Sequence, residues 1–186
     1  MLRSKMKYEQ GGFTLIELMF TIVILAVLVA IGIPNFRGFI LNGHMTAAAN
    51  DLLSDVSLAR SESVKRRIPV VVCATSGGSS PSCSTAGSGF NAWLVYVDTN
   101  SNGTLDVGEA TLREHDRIDG NITGTATGGL VITFRPSGFP ASSSTTQVTF
   151  CDDRKNEVTA GGLPAARAVV IVASGRPIVT RPTSGC

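Results

Sequence analysis

The chain lacks a charge excess. Its formal net charge over 186 residues is +2, and the first twelve residues hold Arg3, Lys5 and Lys7 against Glu9. Without residues 1–12, 13 basic and 13 acidic side chains remain. That balance excludes bulk polycation binding to nucleic acid, so any such contact must come from a local patch. Histidine is almost absent. His44 and His115 stand alone in sequence, with no His-Glu pair and no spacing to the cysteines that fits a zinc finger. Each reads as a solvated side chain. There is no Gly-x-Ser-x-Gly and no phosphate loop, and the serines and threonines cluster in loops without a base nearby in sequence. These absences argue against an enzyme. No internal repeat is present.

The poorest stretch in charge is also the most informative. Residues 13–33 form an apolar run of 21 residues whose one charge is Glu17, the fifth position. At ~1.5 Å per residue such a helix is about 31 Å long, enough to cross a bilayer core. The run is longer than a secretory h-region, and Ile33-Pro34-Asn35-Phe36 is no small-residue cleavage site. Hydropathy alone leaves open a plain single-span anchor. The basic leader would stay in the cytoplasm, placing everything after Pro34 outside.

Gly11-Gly12-Phe13-Thr14-Leu15-Ile16-Glu17-Leu18 resembles the prepilin signature of type IV pilins and of type II secretion pseudopilins. The resemblance implies a leader, 1–12, cut between Gly12 and Phe13 by a prepilin peptidase. It also implies N-methylation of Phe13 and an assembly role for Glu17. In that family the acid pairs with the free amine of the first residue of an adjacent subunit. A lone carboxylate in lipid costs several kcal/mol, and such pairing lowers that cost while setting an axial register.

Residues 13–34 then form the transmembrane half of a long helix, with Pro34 as a kink. Phe36, Phe39, Ile40, Ala47, Ala48, Leu52, Leu53, Val56, Ala59 and Val64 recur at three- and four-residue spacing, which predicts an amphipathic half over 35–66. Gly38 and Gly43 weaken it, and Ile68-Pro69 ends it. From there the residues favour strands, over 68–74, 92–97, 130–134, 147–150, 168–172 and 178–180. Gly/Ser/Thr stretches at 75–89, 120–129 and 137–146 read as loops. The expected fold is α+β and pilin-like: a long N-terminal membrane-spanning helix packed on a mostly antiparallel β-sheet domain, 67–186.

Three further patterns lie in that domain. Asp98, Asn100, Asn102, Gly103, Thr104, Asp106 and Glu109 match the twelve-residue EF-hand loop, with Leu105 as its apolar eighth residue, and suit Ca2+. The flanks do not, since a strand-like run precedes the loop and no clear helix follows. The alternative is a hairpin turning at Asn102-Gly103. Cys73, Cys83, Cys151 and Cys186 follow the span, in a compartment that permits disulfides. Four cysteines allow three pairings. Cys73–Cys83 with Cys151–Cys186 is favoured, closing a small loop and stapling the C-terminal residue to a strand.

Third, Ser174-Gly175-Arg176-Pro177-Ile178-Val179-Thr180-Arg181 is similar to the C-terminal strand of the GspH/FimT-like minor pilins and pseudopilins. In some of these a Gly-Arg-x-Arg version binds DNA during natural transformation. Here Ile178 replaces the second arginine, though Arg181, Arg167, Arg154 and Lys155 could add charge. The alternative gives Gly175 a turn and Arg176 a surface contact.

The resemblance implies a minor pilin or pseudopilin, drawn from the bacterial inner membrane by an assembly platform into a type IV pilus or a type II secretion pseudopilus, at or near the tip. Its partners would be other pilins. The rivals are a DNA-binding minor pilin and a membrane-tethered calcium-binding adhesion domain that never polymerises.

Overall fold

The computed structural model describes residues 12–77, 82–83, 89–118, 121–155, 158, 164–182 and 186. The leader residues 1–11 and the side chain of Pro34 lie outside the described residues, so the proposed kink is not visible. The first element, α1 (Leu15–Arg66), is 52 residues long and continues through Pro34. Thr14 caps it: its Oγ1 accepts the Glu17 N–H at 3.3 Å, satisfying one amide that the first turn leaves orphaned. At the other end Arg67 adopts a left-handed conformation, φ +57°, which closes the helix just before Ile68-Pro69.

The chain divides into two compact units, Met1–Ile40 and Leu41–Cys186. In the first, every large apolar side chain from Phe13 to Ile33 is exposed. That surface is suited to lipid rather than water, and the helix has the length and apolarity to cross a membrane.

In the second unit, helix residues Met45, Ala48, Ala49, Leu52, Val56 and Ala59 are fully buried. Their spacing forms one apolar stripe. The unit has eight strands among the described residues: β1 (Val70–Thr75), β2 (Ala92–Val97), β3 (Thr111–His115), β4 (Thr123–Thr127), β5 (Val131–Phe134), β6 (Thr146–Cys151), β7 (Arg167–Ile171) and β8 (Pro177–Thr180), of which β1, β2, β5, β6 and β7 bury side chains in the same core as the helix stripe. The strands make two four-stranded antiparallel sheets, ordered β3-β2-β1-β5 and β4-β6-β7-β8, rather than one. Side chains from both sheets, Val72 and Trp93 from one and Phe150 and Val169 from the other, meet the helix in the same core.

β1 and β2 are buried on both faces. Val70, Val72, Trp93 and Val95 face the main core, whereas Val71, Cys73, Leu94 and Tyr96 face a smaller cluster with Cys83, Leu105 and Val131. This two-residue alternation explains the continuous apolar run at 70–74. Two strands fall where none was expected. β3 (Thr-Leu-Arg-Glu-His) and β4 (Thr-Gly-Thr-Ala-Thr) are edge strands with mostly exposed side chains, so neither needs an apolar pattern.

Two disulfides close the unit. Cys73 bonds Cys83 and Cys151 bonds Cys186, with Cα separations of 5.5 and 5.8 Å.

Candidate functional site

At the start of α1, Phe13 and Glu17 are both solvent-facing in the isolated chain. Thr14-Leu15-Ile16-Glu17 has the spacing of a capping box, which places Glu17 in the third helical position. A carboxylate there also complements the positive end of the helix dipole. That cap is a sequence signal the apolar reading passed over. Among the described residues, the Glu17 carboxylate has no ionic partner. It is the one charge on an apolar surface more than twenty residues long.

The Asp98–Glu109 segment is a tightly hydrogen-bonded loop between β2 and β3. Asp98, 1 % exposed, accepts the Asn102 and Gly103 amides at 3.1 and 2.8 Å. Gly103 makes the sharp turn at φ +75°. Asn100 Oδ1 accepts the Asn102 amide, and Asn102 Oδ1 accepts the amide and hydroxyl of Thr104. The two side-chain NH2 groups turn inward and donate to Asp106 Oδ2 at 2.8 and 2.6 Å. Asn100 and then Asn102 therefore hold the Asp106 carboxyl below its ordinary range. Glu109 receives the Thr99 amide and hydroxyl on Oε1 and the Asp106 amide on Oε2. As arranged, no three carboxylates, cysteines or histidines among the described residues converge to hold a metal.

The loop covers Tyr96, and Leu105 packs into the same small cluster as its ring. The hydroxyl is fully buried and has no hydrogen-bond partner among the described residues. Burial pushes its pKa far up, and the charges of Asp98, Glu109 and Asp106 push it further.

Helix and sheet are joined by a polar cluster that the sequence did not suggest. Asp55 on α1, 1 % exposed, accepts the Trp93 indole N–H at 2.7 Å and the Arg113 guanidinium at 2.8 Å. His115 stacks on Trp93 with centroids 4.1 Å apart. Its ring nitrogens contact the Asp116 carbonyl and the Asp51 carboxylate. His115 is thus a packed and hydrogen-bonded residue, not a freely solvated one. The signal was the one-turn spacing of Asp51 and Asp55 on the helix, legible only once β3 is placed beside it.

Of the arginines proposed for nucleic acid, Arg167 lies near Arg181 and Arg154 but is buried, and Arg176 stands apart. Arg167 is 9 % exposed and donates to the Ala165 and Ala166 carbonyls at 2.7 and 3.1 Å. Burial, followed by repulsion from Arg181 and Arg154, lowers its pKa. Its assignment to a phosphate-binding surface is corrected, because a buried guanidinium already engaged with carbonyls cannot reach a phosphate. Arg154 binds Asp152 and reaches Asn42 on the helix at 2.9 Å. Arg176 and Arg181 are exposed but flank opposite ends of β8, roughly 16 Å apart along an extended strand. Gly175 makes the β7–β8 turn at φ +77°, and a Cβ there would lie 2.6 Å from the Gly138 carbonyl oxygen.

Comparison with known proteins adds several likenesses. Residues 48–175 match the family described as type II transport protein GspH, and residues 8–33 match the prokaryotic N-terminal methylation motif. A type IV major fimbrial protein FimA of Dichelobacter nodosus is 31 % identical over 129 residues, covering 69 % of this chain and 74 % of that protein. A second FimA from that organism is 28 % identical over 134 residues, covering 69 % and 73 %. The crystal structure of the type IV minor pilin FimU of Pseudomonas aeruginosa shares the fold. It aligns with a TM-score of 0.53 at 20 % identity, over 76 % of this chain and 95 % of its own.

Proposed function

The chain belongs to the GspH family of type II transport proteins and is a membrane-anchored, pilin-type structural subunit that assembles with other pilins, and we propose that it is a minor subunit added at or near the tip of a type IV pilus or secretion pseudopilus. In this reading the prepilin peptidase removes residues 1–12, Phe13 becomes the N-methylated terminus, and an assembly platform extracts the subunit from the inner membrane. The leader side is cytoplasmic and the Leu41–Cys186 unit periplasmic.

One observation carries the proposal: Glu17 is a solitary carboxylate on the exposed, otherwise apolar 13–33 stretch of the helix, without an ionic partner among the described residues. Lipid penalises such a charge, and an amine on a neighbouring subunit relieves the penalty. Glu17→Ala should therefore leave leader removal intact, read by mass spectrometry of the N-terminus, and should cut incorporation into sheared filaments at least tenfold. Normal incorporation overturns the assembly role. An uncleaved N-terminus in cells would instead favour a tethered, non-polymerising domain. The arginine geometry does not favour the DNA-binding alternative, since Arg167, although near Arg181 and Arg154, is buried and engaged with carbonyls, and Arg176 flanks the opposite end of β8 from Arg181.

A further inference from the structure

The Asp98–Glu109 loop and the residue beneath it have no part in filament assembly as proposed above. The carboxylates alone would be unremarkable, because an exposed acidic loop is commonly just a solvated turn. Tyr96 changes that. Its hydroxyl is fully buried, has no partner among the described residues, and lies under the loop in the combined field of Asp98, Glu109 and Asp106. A buried hydroxyl left unpaired costs about 1–3 kcal/mol and calls for an ion, a water or a functional reason. Asp98 Oδ1 and Oδ2, Asn100 Oδ1 and Glu109 Oε2 each accept one of the loop's own amides and keep a second lone pair, whereas Asn102 Oδ1, Glu109 Oε1 and Asp106 Oδ2 each accept two donors. The two Asn NH2 groups on Asp106 Oδ2 occupy the spot where positive charge is wanted.

We infer that this loop is a calcium site whose Tyr96 hydroxyl hydrogen-bonds to a water on the bound cation. Asp98, Asn100, Asn102, Asp106 and Glu109 supply the side-chain oxygens and Thr104 its carbonyl, in the twelve-residue order that suits a hard cation of this size. Loading requires two local changes. The Asn100 and Asn102 amides rotate to present oxygen instead of nitrogen, giving up the bonds those oxygens accept from the Asn102 amide and from the Thr104 amide and hydroxyl, and Glu109 turns from the Thr99 amide and hydroxyl and the Asp106 amide toward the ion. Neither change moves β2 or β3. The donor set has three carboxylates, which places the site in the weak class, with a Kd of roughly 10⁻⁴ to 10⁻³ M. A site of that strength is filled outside the cell and empty in the cytoplasm.

The test uses the full chain in detergent, with Ca2+ and Mg2+ as separate probes in titration calorimetry. Ca2+ should give a single-site isotherm, and Mg2+ should bind at least tenfold more weakly, because it demands a tighter octahedron than this loop offers. Glu109→Gln retains the loop's hydrogen-bond acceptors and should weaken Ca2+ at least tenfold. Tyr96→Phe keeps the packed ring and removes only the orphan hydroxyl. It should melt no lower than the parent without Ca2+, yet bind Ca2+ about threefold to tenfold more weakly. No heat at 5 mM Ca2+ (about five times the weak end of the range), equal affinity for Mg2+, or unchanged affinity in Glu109→Gln would each overturn the site. Unchanged affinity in Tyr96→Phe would overturn the role of the hydroxyl. None of these outcomes bears on the filament reading, which stands or falls with Glu17.

Discussion

Replacing Asp55 by alanine should be among the most damaging changes available outside the apolar core. Asp55 is buried on α1 and satisfies two donors from the facing sheet, Trp93 Nε1 at 2.7 Å and Arg113 at 2.8 Å. The two donors do not respond alike. The Arg113 side chain is 49 % exposed, so without Asp55 it turns to water, and the lost pair counts for no more than about 1 kcal/mol. Trp93 cannot turn. It is fully buried with His115 stacked on its face, so its N–H is left without a partner at a cost of about 1–3 kcal/mol. Removing a buried charge returns part of this, because the carboxylate no longer has to be desolvated.

The net expectation is a loss of about 2–3 kcal/mol. For a folded unit of this size that is a fall in Tm of roughly 6–12 °C. The assay is thermal unfolding of the full chain in detergent, followed by the near-ultraviolet circular dichroism of Trp93, the chain's single tryptophan. Asp55→Asn keeps an acceptor for the indole and should lose about half as much. Arg113→Ala should lose less than about 1 kcal/mol. The reasoning fails if Asp55→Ala melts within about 3 °C of the parent, or if Arg113→Ala costs as much as Asp55→Ala.

Two further predictions follow from local geometry. Gly175→Ala forces a left-handed alanine, at about 1–2 kcal/mol, and drives its Cβ to 2.6 Å from the Gly138 oxygen. A total destabilisation above 2 kcal/mol is expected (roughly the cost of a strained backbone position), whereas Arg176→Ala should stay within about 0.5 kcal/mol; equal melting of the two would mean the turn does not need its glycine. Asp106 has its folded pKa depressed by Asn100 and Asn102, so its contribution is present above the ordinary carboxylate range and fades as pH falls below about 4. The Asn100 and Asn102 side-chain amide resonances should therefore be protected at pH 5 and lose protection on further acidification. Protection unchanged down to pH 2, or unchanged by Asp106→Ala at pH 5, would contradict the assignment.

Much of the molecule was legible from local pattern. β2 was expected at 92–97 and lies there; β1, β5, β6, β7 and β8 fall within a residue or two of their expected bounds. Their β-branched runs fill two buried faces or one, and that requirement is written residue by residue. β3 and β4 escaped because an edge strand is stabilised by its neighbour's backbone, which its own side chains do not reveal. Arg167 misled because sequence labels a guanidinium as surface charge, while the pairing of Phe150 with Arg167 across β6 and β7 carries it inside. His115 misled for a related reason: its partners Trp93 and Asp51 are 22 and 64 residues away.

The amino-acid sequence by itself determined the membrane half. Lipid asks only for length, apolarity and backbone bonds closed within the helix, and all three are local properties. It likewise determined where a solitary acid stands on that helix and where the oxygen donors of the Asp98–Glu109 loop fall. Only the tertiary structure decided that the strands divide into two sheets over one helix stripe, that Asp55 answers Trp93, and that the Tyr96 hydroxyl is sealed beneath the loop. These features depend on groups far apart in the chain meeting in a medium that excludes water, where an unmatched donor or charge is costly.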